Sequence, residues 1–410
     1  MKNLCAIPWV GFSNDPDGSV KPCCISQETV TKPDGSNYYT QLDNIKDIFH
    51  SEYMNNLRQE FIDGKKPKNC SVCWINEDNG YTSKRETYNE VVRNTLGPWA
   101  TPENLVQKPL FEYPIDFQVI LTNACNLKCR SCGSSHSTEW YKELQTMPIE
   151  DIRGISTSVY ELPHGQAGGR KSEFITSMEE WLPYAKRIEI VGGEPFYTKN
   201  WENAWELMIE KGVSKNISLN MSTNGTIFRE KLIKRLGNNF KHVGIALSID
   251  GIGKTFEYLR KNAKWDSVKK NLLRFNSLYQ QYDSDNLYLG YTYTLSWVNA
   301  YELPEFHDWI QKNTPEFVFW INIIHIPEHL CLYSLPEESK IRIQKKWENH
   351  DWGEKQKDID GIIKYMFSKS RSNEYLKKLY TNFTILDKYR KESTFDVVYN
   401  SYPELKKYVK

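Results

Sequence analysis

Nine cysteines stand in this chain of 410 residues, and eight of them fall into two spaced groups. Cys125, Cys129 and Cys132 form C-x₃-C-x₂-C in ACNLKCRSC, directly after the apolar run FQVILTN. Cys5, Cys23, Cys24, Cys70 and Cys73 occupy the first quarter of the chain, and Cys331 stands alone. In a reducing compartment such cysteines are read as metal ligands or free thiols before disulfides. Thiolates at these spacings hold zinc or an iron–sulfur cluster. Three thiolates leave one iron of a four-iron cubane without a protein ligand. A catalytic zinc keeps a position open in the same way. An open iron takes a small molecule.

Three further patches raise the same expectation. VGGEP (191–195) follows RIEI, STNG (222–225) follows ISLNM, and SIDG (248–251) follows VGIAL. Each patch ends a short β-branched or apolar run, and the cysteines end the first of these. LYLGYTYTLS (287–296) and FVFWINIIHI (317–326) supply two more runs, and amphipathic segments such as WENAWELMIEKG lie between them. Alternation of this kind predicts a parallel sheet with helices outside. Six strands suit a partial (β/α)6 TIM-like barrel, an α/β fold, better than a closed eight-stranded one. In parallel α/β folds ligands bind at the C-terminal strand ends, so the four patches converge on one pocket.

Cys125-x₃-Cys129-x₂-Cys132 with GGEP, STNG and SIDG in that order resembles the radical S-adenosylmethionine (SAM) superfamily, over roughly residues 115–325. The resemblance implies a SAM-binding [4Fe-4S] cluster on the three cysteines, with the amino and carboxylate groups of SAM on the fourth iron. It implies reductive cleavage of SAM to a 5′-deoxyadenosyl radical that abstracts hydrogen from substrate. Carried onto this chain, Gly192, Gly193, Glu194 and Pro195 form the patch that receives the methionine ammonium. Ser222 and Asn224 resemble residues that bond the ribose or carboxylate of SAM. Ser248 and Asp250 end the fourth strand, where Asp250 reads equally as a turn residue before Gly251. Arg260 resembles an arginine paired with the methionine carboxylate, a task suited to its fork; a solvated helix arginine is the alternative. Ser131 departs from the family, which often has an aromatic residue there near adenine.

The N-terminal cysteines have a pattern of their own. C-x₁₂-G-x₄-C runs from Cys5 through Gly18 to Cys23, and NCSVC adds Cys70 and Cys73. The Asp-Gly of DPDGSVKPCC predicts a hairpin that brings Cys5 and Cys23 together. Four cysteines complete a site for zinc or a cluster. The pattern resembles the twitch or SPASM auxiliary-cluster module, which implies an auxiliary iron–sulfur cluster, [4Fe-4S] by expectation. The module precedes the barrel here, whereas in the family it usually follows it. Cys23 and Cys24 compete for one position, and adjacent strand residues point to opposite sides.

Lys plus Arg number 53 and Asp plus Glu 52, which argues against nucleic-acid binding through phosphate charge. No apolar run is long enough to span a bilayer, and MKNLCAIPWV does not read as a signal peptide. A cytoplasmic location is expected. The four prolines of Leu96–Pro114 mark a linker. The expected organisation is an auxiliary-cluster domain over 1–98, a linker over 99–115, the barrel over 116–330 and a helical extension over 331–410. ELPHGQAGGRKSE (161–173) reads as a lid or as a plain insertion. His325, Glu328, Tyr291 and Tyr293 are further pocket candidates, with packing or solvent exposure as the alternative, and His136 is another, with a helix N-terminal position as its alternative. Cys331 reads as a buried free thiol.

The expected partners are a peptide or small-molecule substrate and an electron donor such as flavodoxin or ferredoxin. The expected outcome is a net oxidation or a peptide or metabolite modification, helped by the auxiliary cluster. No catalytic acid, base or hydrogen donor is readable. The contrasting reading is a metal-stabilised binding or electron-transfer protein without catalysis.

Overall fold

The computed structural model describes residues 3–155, 178–282, 286–398 and 400–408. The segment 161–173 lies outside the described residues. Eight strands form one sheet in the order β2-β1-β3-β4-β5-β6-β7-β8. The six expected runs become β3 (Asp116–Val119), β4 (Arg187–Ile190), β5 (Ser218–Thr223), β6 (His242–Ser248), β7 (Leu287–Leu295) and β8 (Val318–Ile323). Each pairs in parallel with the next, and β2 and β8 remain as edges, so the barrel is open.

The two remaining strands come from the N-terminal segment. β1 (Gly11–Asn14) lies parallel to β3, and β2 (Val20–Lys21) returns antiparallel to β1 as the Asp-Gly turn requires. β3 stops four residues before the expected end of FQVILTN. The Asn14 side chain explains this: its Oδ1 accepts from the Ile120 N–H at 3.0 Å and its amide donates to the Ile120 carbonyl at 3.1 Å. A side chain has taken the place of the next rung of backbone pairing.

The N-terminal segment carries α1 (Glu52–Ile62), α2 (Ser71–Asp78) and α3 (Lys84–Leu96), the last started by a Ser83–Glu86 capping box. α4 (Thr138–Leu144) follows the cysteine loop. α5 (Lys199–Glu210), α6 (Glu230–Asn239), α7 (Gly253–Leu259), α8 (Trp265–Tyr279) and α9 (Leu303–Asn313) connect the strands. Their apolar residues recur at helical spacing, as with Trp201, Ala204, Trp205 and Met208 of α5, and bury one stripe against the sheet. α10 (Glu337–Glu348), α11 (Gln356–Met366) and α12 (Asn373–Arg390) form the C-terminal region, helical as its pattern predicts.

Packing divides the N-terminal segment. Leu4, Trp9, Phe61, Trp74, Tyr88 and Val92 form a small core that also takes in Leu105 and Ile115 of the proline-rich stretch. Phe12, Val20, Ile45, Phe49 and Met54 instead join the large core of the barrel.

The sheet has two unlike faces. Leu219, Met221, Val243, Ile245, Leu289 and Tyr291 are buried under the helices. The alternate residues are half-buried and mostly polar: Ser218, Asn220 and Ser222 of β5, Ser248 of β6, Thr292 and Thr294 of β7. Register places these in lateral rows, with Ser248 opposite Thr292 and Thr292 opposite Trp320. The inner face is therefore a polar, accessible surface rather than a filled core.

Candidate active site

The three cysteines of the C-x₃-C-x₂-C loop lie beyond the C-terminal end of β3, and local bonds hold their backbone. The Thr138 hydroxyl bridges the N–H and the carbonyl of Cys125, at 3.3 and 3.2 Å. Trp140 Nε1 donates to the Cys129 carbonyl at 2.7 Å. Two backbone bonds, Arg130 N–H to Leu259 O at 2.7 Å and Lys128 N–H to Lys261 O at 3.2 Å, tie the loop to the end of α7. A buried salt-bridge network adds to this. The Arg130 guanidinium meets Asp387 at 2.5 Å and Glu392 at 2.9 Å, and lies 3.7 Å from the centre of the Tyr258 ring. Glu143 of α4 joins Lys128 of the loop to Arg390 of α12, at 2.5 and 2.7 Å. Sequence reasoning did not find these residues, because partners some 250 positions apart leave no local signal.

The thiols themselves are crowded and shielded. Burial raises the Cys125 thiol, and the neighbouring Cys129 raises it further. Cys132 is pushed up to about 12 by the same two causes. Cys129 is raised by burial against the pull of Arg260 and Arg390. Such thiols ionise readily only when a metal takes them.

GGEP wraps over this loop. Gly192 and Gly193 have φ of 79° and 60°. A Cβ on Gly193 would lie 2.7 Å from the Ala124 carbonyl oxygen and 2.8 Å from that of Thr122, so only glycine fits there. The Glu194 N–H donates to the Ala124 carbonyl at 2.9 Å. Its carboxylate is buried beside Pro195 and accepts from Phe196 N–H, Thr223 Oγ1 and Asn224 N–H at 3.1, 2.7 and 2.7 Å. Burial raises its pKa, and these three bonds lower it in part. With about four acceptor sites on a carboxylate, roughly one remains for a ligand. Glu194 thus braces β5 against the cysteine loop.

The other predicted residues gather around the same loop. Asn224 Nδ2 lies 2.9 Å from Asn126 Oδ1 and 3.9 Å from Cys125 Sγ. Ser222 and Ser248 are half-buried on the inner face. Asp250 is buried; its Oδ2 pairs with Arg260 Nε at 2.9 Å and its Oδ1 accepts from the Thr294 N–H at 2.9 Å. Arg260 Nη1 lies 4.0 Å from Cys129 Sγ. The arginine is only 7% exposed, which removes the solvated-helix alternative. Asp250 orients it, so the aspartate does more than make a turn.

The N-terminal thiols form a second centre. Cys5 is raised by burial and by Cys23, Cys73 and Cys70. Cys70 is raised by burial, Cys23 and Cys73. Burial and then Cys24 push Cys23 up to about 12. The Lys84 ammonium lies near Cys24, Glu189 of β4 and Cys23. Cys5 precedes β1 and Cys23 follows β2, so this centre lies toward the N-terminal ends of the strands, opposite the other three cysteines. Between the two centres runs the polar inner face.

Among the described residues, no three thiols lie mutually within 4.8 Å. One tetrahedral zinc with bonds of about 2.3 Å would need its sulfurs about 3.8 Å apart.

A radical SAM superfamily domain matches residues 119–303, and an iron–sulfur cluster-binding SPASM domain matches residues 5–74. Residues 119–303 of the chain carry a radical SAM superfamily domain. These domains imply SAM and iron–sulfur binding. No curated protein matches the chain. Among solved structures it is similar to native anSMEcpe with bound AdoMet, at 18% identity over 56% of this chain and 59% of that one, with a TM-score of 0.35. It is also similar to Streptococcus suis SuiB bound to S-adenosylmethionine, at 15% identity over 58% and 44%, with a TM-score of 0.34. The methyltransferase TsrM from Kitasatospora setae, with cobalamin and a [4Fe-4S] cluster, matches at 9% identity over 50% and 36%, with a TM-score of 0.35. The chain thus spans about three fifths or less of these structures' lengths.

The remaining candidates divide. Tyr291 and Tyr293 are fully buried among Phe306, Phe317 and Phe319, on the helix side of β7. His325 contacts Asn76 of α2 at 2.9 Å, and Glu328 bonds Arg371 and Tyr375. His136 bonds Ser135 and faces Asp15 and Lys21 of the N-terminal hairpin. The Cys331 thiol is buried and donates to the Pro327 carbonyl at 3.6 Å. No helix among the described residues is long and apolar enough to cross a membrane.

Proposed function

We propose that this chain is a radical SAM enzyme acting on a polar substrate bound along the inner face of the open barrel. One observation carries the reading: two thiol centres at opposite ends of a single accessible, hydroxyl- and amide-lined surface. Cys125, Cys129 and Cys132 would hold a [4Fe-4S] cluster with one iron open to SAM. Arg260, set by Asp250, would face the methionine carboxylate. Gly192, Gly193, Glu194 and Pro195 would shape the amino end of the site, and Asn224, Ser222 and Ser248 would supply hydrogen bonds to the nucleoside or substrate. Cys5, Cys23, Cys70 and Cys73 would hold an auxiliary cluster, and the closeness of Cys23 to Cys5 and Cys70 supports Cys23 as the ligand. When bound, these groups supply one-electron cleavage of SAM, hydrogen abstraction from substrate and an acceptor for the electron left behind, a net two-electron oxidation.

The inner face supports a hydroxyl-bearing metabolite, with a residue of a peptide as the competing substrate. Ser218, Asn220, Thr292 and Thr294 offer neutral hydrogen bonds, and Trp320, lying over Gly290, offers a ring. In this reading residues 1–98 form the auxiliary-cluster module, 99–115 a linker, 116–330 the SAM barrel and 331–410 a helical extension. The enzyme would work in the cytoplasm with flavodoxin or ferredoxin as reductant.

The test is SAM cleavage by anaerobically reconstituted protein with dithionite, beside a Cys125/Cys129/Cys132→Ala variant. Two four-iron clusters predict about eight irons in the wild type and about four in the variant. 5′-Deoxyadenosine from the wild type alone is the expected result. No cleavage with both centres loaded would favour a non-catalytic metal protein.

A further inference from the structure

A second kind of metal chemistry is available on the outer side of the barrel, away from every cysteine. His307 and Asp308 lie on α9, and His350 follows the end of α10 by two residues. His307 Nδ1 is 2.9 Å from His350 Nε2, and that same nitrogen is 4.0 Å from Asp308 Oδ1. All three ligand atoms fall within 4.8 Å of one another. A tetrahedral metal with bonds of about 2.0–2.1 Å holds its ligands about 3.4 Å apart. The observed 2.9 and 4.0 Å straddle that value, so small side-chain rotations bring the three atoms onto one ion.

The rings are held in place before any ion arrives. His350 packs edge-on against Trp352 with centroids 4.4 Å apart, and His307 packs against Trp352 and Phe319 at 5.3 and 6.1 Å. The second nitrogen of His307 lies 3.4 Å from the Gln311 amide nitrogen; turning that amide over would present its oxygen to the Nε2–H of a ligating imidazole. Beside His350 and Asp308 opens a cavity of about 560 Å³, also lined by Glu305 and Asn349, with room for water on the remaining coordination positions. Arg342, Lys345 and Lys346 line the same cavity. Two of these charges are answered, Arg342 by Glu404 at 3.4 Å and Lys346 by Glu305 at 2.5 Å.

We propose that His307, His350 and Asp308 form a site for a divalent transition ion of the zinc class, which pins the last barrel helix to the C-terminal extension. Two imidazoles and a carboxylate with open positions suit zinc, cobalt or nickel and disfavour calcium or magnesium. Because α9 belongs to the barrel and His350 to the extension, an ion there binds the folded arrangement alone and stabilises it.

The test uses cluster-loaded protein under anaerobic conditions, with iron counted before and after. Zn²⁺ is titrated calorimetrically, and Co²⁺ serves as a spectroscopic probe. The expected result is one equivalent of Zn²⁺, a rise in melting temperature on binding, and a Co²⁺ spectrum without thiolate charge-transfer bands. His350→Ala should weaken binding at least tenfold. Asp308→Ala is the control for folding: its side chain is 72% exposed, and it should weaken binding while leaving the metal-free melting temperature unchanged. No binding by the wild type, binding as tight as wild type in both variants, or thiolate bands showing the ion on cysteine would overturn the proposal and leave a histidine–histidine hydrogen bond.

Discussion

Arg130 stands between two of the proposed cluster ligands, and its replacement by Met should loosen the whole cysteine loop. The guanidinium is 1% exposed and is shared by Asp387 and Glu392. Removing one partner of a buried ion pair costs about 3–5 kcal/mol, because the other charge is left buried. Here that cost is tempered. Asp387 keeps donors from Tyr258 Oη at 2.9 Å and from the N–H and hydroxyl of Thr394, both at 2.6 Å. Glu392 keeps Lys261 at 2.7 Å. The lower end of the range applies, about 3 kcal/mol with the lost stacking on Tyr258 included. If that energy serves to order the loop, cluster affinity at the three cysteines falls about 100-fold, since each 1.4 kcal/mol is tenfold. The assay is iron content after graded chelation, with the melting temperature of the same samples. Arg130→Met should lose iron from Cys125, Cys129 and Cys132 at much lower chelator concentration while the N-terminal centre keeps its own. Arg130→Met/Asp387→Leu should recover part of the loss, because the unpaired carboxylate is gone. Iron retention within a factor of three of wild type, or a double variant no better than the single, would refute the reasoning.

Two other perturbations follow from the same geometry. Gly193→Ala places a methyl within 3 Å of two carbonyl oxygens at positive φ, and should leave about four irons per chain, with SAM cleavage lost and the N-terminal centre intact. Acid should destabilise the protein in two windows. Burial drives His325 and His329 down to about 4, so both are neutral when folded, and the stability this gives is lost as pH falls from about 6.5 toward 4. For Glu189 burial opposes ionisation, but Lys84 and Arg187 outweigh it and hold the carboxyl at about 2; its contribution is present above about 4.5 and is lost between there and 2. His325→Gln should flatten the upper window and Glu189→Gln the lower one in urea melts taken across pH. Unchanged slopes would show that these groups do not titrate on unfolding.

The legible parts of this chain are those whose cause is local. A strand written ISLNMSTN buries alternate residues wherever it lies, and the Gly-Gly pair before Glu194 reports a tight approach without naming what is approached. The spacing of Cys125, Cys129 and Cys132 likewise marks a metal loop by itself. Arg260 shows the limit. Its position in TFEYLR was compatible with solvent, and only the neighbouring Asp250 and the cysteine loop bury it. Glu194 shows another: as a motif residue it reads as a ligand contact, whereas in space most of its acceptor sites are taken by Thr223, Asn224 and Phe196.

Sequence alone determined the α/β class, the six parallel strands, the helical C-terminal region and the two cysteine centres, because periodicity and short-range spacing are intrinsic to the chain. Tertiary structure decided the rest. It added β1 and β2 to the barrel sheet, set the two centres at opposite ends of one polar face, and brought Asp387, Arg390 and Glu392 back onto the cysteine loop. Those outcomes depend on register and on charge pairs separated by hundreds of residues. Burial fixes both at once, since a strand out of register or a buried charge without its partner costs several kcal/mol.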